Sequence, residues 1–267
     1  MALASLVLTS CGSPLRASSI TTPHPEKDGA IIEYFEEHPA GRGPWPTIIL
    51  LHGHQGPTQR IGGRAFVNWG VLSHLAGKGY LAVSVSLPGY GRSSGPDDFA
   101  GRFAQLAVRA VMAKLAADRR SIPDKVLIQG VSLGAVTGAL VAADDRQLAG
   151  LVLISGLYDL PAFFAHPKSA AALSIKAVAA AQTGGSSEAL LSRSALPLAS
   201  HIHASTLILN GAKDDRTDAG QARRFAAAIQ ANGGRAKVHI YPEFGHEIPV
   251  RARDAEVAAF IDATLRP

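Results

Sequence analysis

The sequence predicts an α/β protein, a mainly parallel sheet flanked by helices, and two observations lead there. From Ala30 onward, short apolar runs alternate with longer amphipathic ones, the rhythm of strands buried on both faces and joined through covering helices. Several short runs also stop at glycine turns, at His52-Gly53, Pro88-Gly89 and Gly130, where a strand would give way to a loop or helix.

The elements follow in order. Residues 31–36 read as an early edge strand, and 47–51 (Thr-Ile-Ile-Leu-Leu) as a strand buried on both faces. A short helix over 71–78 ends at Gly79 and leads to a strand over 81–86. Residues 104–117 are helical, because Leu106, Val108, Val111, Met112 and Leu115 fall on one stripe. A buried strand over 126–129 precedes a helix over 133–143, and two more strands lie at 151–154 and 206–209. A helix over 221–231, a strand over 237–241 and a last helix over 254–265 complete the series. Residues 155–204 break this rhythm: they are rich in Ala, Ser and Pro and contain Gly184-Gly185. Long excursions in compact domains are usually functional, so this interval is expected to be a small helical cap insertion over a site. Phe163, Phe164 and Leu173 within it would suit an apolar acyl or alcohol group, or serve as ordinary core.

Composition narrows the class. With 47% hydrophobic and 18% charged residues in 267, the chain can bury a core and is not of disordered type. The net charge of +5 is spread along the chain, with pairs such as Arg119-Arg120 as its densest clusters, and aromatics are only 6%. That argues against a nucleic-acid partner. One cysteine, Cys11, excludes an internal disulfide and a multi-cysteine metal site. His201 and His203 are spaced like metal ligands but lack a third, so no metal is expected. His24, His38, His74 and His166 read as solvated loop or helix residues. No phosphate-binding glycine motif follows a predicted strand, and no cofactor is expected.

Residues 2–8 form a short apolar run before Leu8-Thr9-Ser10-Cys11, which resembles the lipobox of bacterial lipoproteins, although no Lys or Arg precedes the run. Residues 1–11 are therefore expected to be a signal or lipobox-like segment with Cys11 as the lipidation candidate, 12–29 a tether, and 30–267 the folded domain. The resemblance implies export and membrane attachment at the bacterial envelope; a plain exported or cytosolic leader, periplasmic or cytoplasmic, is the alternative. The oligomeric state is left open.

The chemistry concentrates at five places. Gly130-Val131-Ser132-Leu133-Gly134 lies between a predicted strand and an apolar helix. Such a turn forces the serine into strained backbone and lifts its hydroxyl above the sheet. His52-Gly53-His54-Gln55-Gly56 follows one strand, and Pro88-Gly89-Tyr90-Gly91-Arg92-Ser93 the next. Near the end, Asn210-Gly211-Ala212-Lys213-Asp214 and Phe244-Gly245-His246 each follow a strand. Taken in chain order, these segments resemble the α/β-hydrolase superfamily over nearly everything after residue 30, with the stretch from Ser192 to Arg216 looking like the prolyl-oligopeptidase and dienelactone-hydrolase branch.

The resemblance implies Ser132 as nucleophile, His246 as general base and Asp214 as the acid, with the backbone N–H groups of Leu133 and His54 as oxyanion donors. Asp215, expected to pair with Arg216, and Asp159 remain alternatives for the acid, and His52 is expected to brace nearby loops. The substrate would be a small-molecule ester, handled by a compact esterase; there is no room in the chain for the propeller of the large peptidases. A small serine peptidase acting on a short peptide is the alternative, and a non-catalytic binding lipoprotein with the same fold is the alternative of another class.

Overall fold

A computed structural model describes residues 17–266. Cys11 and the apolar run before it lie outside them. Among the described residues, strands β1 (Ile20–Pro23), β2 (Ile31–Glu37), β3 (Trp45–Leu51), β4 (Leu81–Val85), β5 (Ser121–Val131), β6 (Gly150–Ile154), β7 (Ser205–Gly211) and β8 (Ala236–Tyr241) form one sheet. Their order is β1-β2-β4-β3-β5-β6-β7-β8. β1, β2 and β4 pair antiparallel in turn, and every pairing from β4 through to β8 is parallel. The chain runs from β3 to β4 on one side and then crosses to β5 on the other. Such a reversal leaves a crevice at the carboxyl ends of the two strands, and Ser132 stands at the end of β5.

The two-residue period of the strands divides the interior into two cores. Ile49 and Leu51 of β3 face the first, Ile48 and Leu50 the second. Helices α3 (Arg102–Ala117), α4 (Leu133–Ala143) and α8 (Ala219–Ala231) cover the first core, and α1 (Arg64–Asn68), α2 (Val71–Gly77) and α9 (Val250–Leu265) the second. Every residue of α4 is buried, which explains why its sequence is apolar all round rather than striped.

Between β6 and β7 lie α5 (Leu160–Ala165), α6 (Ala170–Thr183), α7 (Ser187–Leu191) and a 3-10 turn, Leu196–His201. Asp159, Ser169 and Ser186 cap the three helices through their side chains, and left-handed Gly184 ends α6. The strandless, cap-rich sequence of 155–204 is thus helical here.

The N-terminal side corrects two expectations. Residues 20–23 are not tether but β1, which pairs with β2 from Ile20 opposite Tyr34 to Pro23 opposite Ile31. A four-residue, half-polar strand has no alternation to read; the free edge of β2 supplies its hydrogen bonds. His24 is not solvated but buried: its ring stacks on Phe103 at 3.6 Å, Nε2 lies 3.0 Å from the Phe103 carbonyl, and Nδ1 accepts the Glu26 amide.

Candidate active site

The turn at Ser132 is built by what its glycines avoid. A Cβ on Gly130 would fall 2.2 Å from the Gly134 carbonyl oxygen, and one on Gly134 would fall 2.2 Å from the Leu51 carbonyl oxygen. Both neighbours are backbone and cannot move aside, so the tight passage from β5 into α4 admits only glycine there. Ser132 itself has φ 53° and ψ −115°, a conformation that costs a non-glycine residue about 1–3 kcal/mol and is tolerated where the surroundings enforce it. Its amide donates to the Ile154 carbonyl at 2.8 Å. Leu133 follows as the first residue of α4, so its N–H has no helical partner and belongs to the positive end of the helix.

Two loops converge on this serine. The loop after β7 and the loop after β8 are zipped together: the Ala212 amide donates to the Tyr241 carbonyl and the Lys213 amide to the Phe244 carbonyl, both at 2.9 Å. A Cβ on Gly211 would strike the Gly245 carbonyl oxygen at 2.1 Å, so that contact again requires glycine. The buried Ser155 hydroxyl donates to the His246 carbonyl at 2.8 Å, tying the second loop to the end of β6. His246 Nε2 thereby lies 3.1 Å from Ser132 Oγ, and His246 Nδ1 lies 3.0 Å from Asp214 Oδ2.

The Asp214 side chain is fully buried and saturated with donors. Oδ1 accepts the amides of Arg216 and Thr217 at 2.9 and 2.8 Å; Oδ2 accepts the Thr217 hydroxyl at 2.6 Å and the Asn210 amide group at 3.2 Å. Burial is the largest single influence and pushes this carboxyl up. The hydrogen bonds from His246 and Thr217 together outweigh it and hold the group below the usual carboxylate range.

Neither of the other nominees for the acid meets His246, whose Nδ1 faces Asp214. Asp159 caps α5 by accepting the Ala162 amide at 3.2 Å. Asp215 does not pair with Arg216 as expected; Arg216 reaches Glu247 at 3.3 Å instead, because side chains of adjacent loop residues diverge.

The loop after β3 packs directly on the serine, where a Cβ on Gly53 would lie 3.2 Å from Ser132 Cβ. Three side chains fix that loop. His52 Nδ1–H donates to its neighbour's carbonyl at Gly53 (2.7 Å), and Nε2 accepts the Leu87 amide at 3.0 Å. Gln55 holds both the amide and the carbonyl of Gly62. His54 Nδ1 lies 2.9 Å from the Tyr90 hydroxyl. Burial lowers the affinity of His54 for a proton and lifts the Tyr90 hydroxyl to about 12, so a neutral ring accepts the phenolic proton.

His52 carries a stability prediction. Burial above all moves it from its ordinary 6.5 down to about 4. Between those values the unfolded chain binds a proton that the folded ring refuses, so stability rises with pH in this window and falls as pH drops through it. The loss is expected to reach about 3 kcal/mol. Urea unfolding at the two ends of the window, for wild type and His52→Asn, measures it; an equal pH slope in the variant would assign the effect elsewhere.

Ser132, His246, His54 and Leu133 all line one cleft of about 1120 Å³. Phe163, Phe164 and Leu173 are not part of its lining. Phe163 is core and Leu173 is 55% exposed, whereas Ala171, Ser174, Ile175 and Val178, on another face of α6, line the cleft. The α6 sequence is apolar on several sides, so no stripe marks the facing one.

Comparison with known proteins agrees with this architecture. Residues 106–266, more than half of the chain, match the prolyl oligopeptidase family. No curated protein sequence matches the chain. Among solved structures, a Pyrococcus horikoshii acylaminoacyl peptidase superposes with TM-score 0.75 at 15% identity, covering 94% of this chain and 42% of that one. This chain thus spans less than half of that peptidase. A Pyrococcus furiosus esterase gives TM-score 0.68 at 15% identity, with 94% and 92% covered. A Klebsiella pneumoniae protein assigned as a dienelactone hydrolase gives 0.62 at 19% identity, with 93% and 98% covered.

Proposed function

The chain belongs to the prolyl oligopeptidase family, and from that we propose that it is a serine hydrolase cleaving carboxylic esters, with Ser132 as nucleophile, His246 as general base and Asp214 as the acid that orients it. The observation that carries the reading is the unbroken hydrogen-bonded path from Ser132 Oγ, which lines the cleft, through the imidazole to a carboxylate buried behind it.

His246 Nε2 takes the hydroxyl proton as Ser132 Oγ bonds to the substrate carbonyl carbon. The carbonyl electron pair moves onto oxygen, where the N–H groups of Leu133 and His54 receive the negative charge. As the tetrahedral centre collapses, the bond to the leaving oxygen breaks and His246 returns its proton there, releasing the alcohol. Water, deprotonated by the same nitrogen, then repeats the attack on the acyl-enzyme and frees the acid and Ser132. Asp214 stays ionised throughout, holding the Nδ1–H tautomer and stabilising the imidazolium.

The two carboxylates beside His246 favour esters over peptides with a free amino end, while Asp254 and Asp262 line the cleft from α9. Asp214 is committed to His246, and Glu247 at the rim is paired with Arg216, so neither offers a carboxylate for a substrate ammonium. A panel of p-nitrophenyl acyl esters and aminoacyl-p-nitroanilides tests the reading. Esters are expected to be turned over with the higher kcat/KM. Preferential anilide turnover would make the chain a peptidase, and silence on both, with no fluorophosphonate labelling of Ser132, would make it a binding module.

A further inference from the structure

The cleft does not stop beneath the cap. It continues as a groove between α2 and α9, over a floor that includes Phe66, Leu75, Val257 and Ile261, none more than 8% exposed. At its mouth Trp69 and Val250 stand 71% and 60% exposed. Five large apolar side chains are exposed among the described residues, and two of them therefore border this single cavity, an arrangement typical of binding surfaces rather than of scattered surface residues. Lys78 and Asp262 supply polar groups at the far end. None of this length is needed by the acyl-transfer steps themselves.

Position relative to the imidazole says which part of a substrate would enter. His246 must protonate the leaving oxygen, so the departing group emerges beside it. The residues that follow His246 in the chain, Ile248, Pro249 and Val250, line the groove where it begins. From Val250 to Asp262 along α9 the wall runs for about 18 Å, enough for an extended chain of roughly a dozen carbons.

We propose that the groove between α2 and α9 binds an unbranched apolar chain on the alcohol side of the substrate, which makes the preferred substrates long-chain alkyl esters. This rests on the serine-hydrolase reading for its chemistry, but the groove can be tested without turnover. Titration of the full chain with 1-alkanols from butanol to dodecanol is followed by tryptophan fluorescence. Trp69 should shift to the blue and saturate, with affinity rising up to roughly fourfold per methylene. Trp69→Phe should remove the shift, because the other tryptophan, Trp45, is stacked against His38 and Arg120.

Ala258, half-buried on the groove wall, is the place to obstruct it. Ala258→Phe should weaken decanol binding by roughly tenfold, with a thermal midpoint reporting that the fold survives. No saturable shift, or a shift unchanged in Ala258→Phe, overturns the groove whether or not any ester is cleaved. In kinetics, kcat/KM should climb from ethyl to decyl acetate in wild type and stay flat in Ala258→Phe. A climb confined to p-nitrophenyl esters of rising acyl length overturns the assignment to the alcohol side. Alkanol binding without turnover of any ester would uphold the groove and sink the ester reading, so the two fail separately.

Discussion

Ser132→Ala is expected to lower kcat/KM for a p-nitrophenyl ester by about 10⁴-fold or more while leaving the protein folded. The oxygen lost is the one 3.1 Å from His246 Nε2, and nothing else on the turn can form the acyl-enzyme. Folding should be indifferent to the change. Among the described residues Ser132 Oγ meets only His246, the strained φ of 53° costs alanine no more than serine, and the turn is enforced by Gly130, Gly134 and the Ile154 carbonyl. Activity would not fall to zero, because oxyanion donors and substrate positioning alone retain some 10³-fold over water. Single-turnover kinetics with the thermal midpoint recorded alongside makes the check. An alanine variant within tenfold of wild type would show that the bond is broken by another route.

The sheet was legible because its strands are buried on both faces. Thr-Ile-Ile-Leu-Leu at 47–51 can hardly be anything else, and the helix read at 133–143 has the same bounds in the structure, since a glycine-bounded turn fixes one end. What escaped was held by partners far away in the chain. β1 exists because β2 has a free edge, α1 is only five residues long, and the groove wall joins residues around 70 to residues around 258, a juxtaposition that no local pattern announces. The serine and histidine could be read from a strand, a turn and a glycine. The aspartate could not be fixed as firmly: Asp214 and Asp215 are adjacent, and only the inward packing of one side chain separates them.

That ambiguity gives the second large effect. Asp214→Asn is expected to lower kcat by about 10⁴-fold, and the hydrogen-bond inventory around the carboxylate says why. Five donors converge on its two oxygens: the amides of Arg216 and Thr217, the Thr217 hydroxyl, the Asn210 side chain and His246. An asparagine replaces one acceptor with an NH₂ group that opposes at least one of these donors. If the NH₂ faces His246, the imidazole must flip its proton to Nε2, where it can no longer accept from Ser132. If it turns away, it meets Thr217 or Arg216, leaving a buried donor unpaired at about 1–3 kcal/mol. The variant therefore loses stability as well as rate, and the stability term has a pH signature.

The carboxyl of Asp214 is held below the usual range in the folded chain, so its contribution is complete above the ordinary carboxylate pKa and is lost as pH falls through the folded value. Removing it should flatten the acid limb of stability below about pH 4. Asp215→Asn should leave both rate and stability near wild type, and Asp159→Asn, which keeps a competent cap on α5, should do the same. If instead Asp159→Asn collapses turnover while Asp214→Asn stays within tenfold of wild type, the acid is delivered from the end of β6, and the hydrogen bond between Asp214 and His246 is structural only.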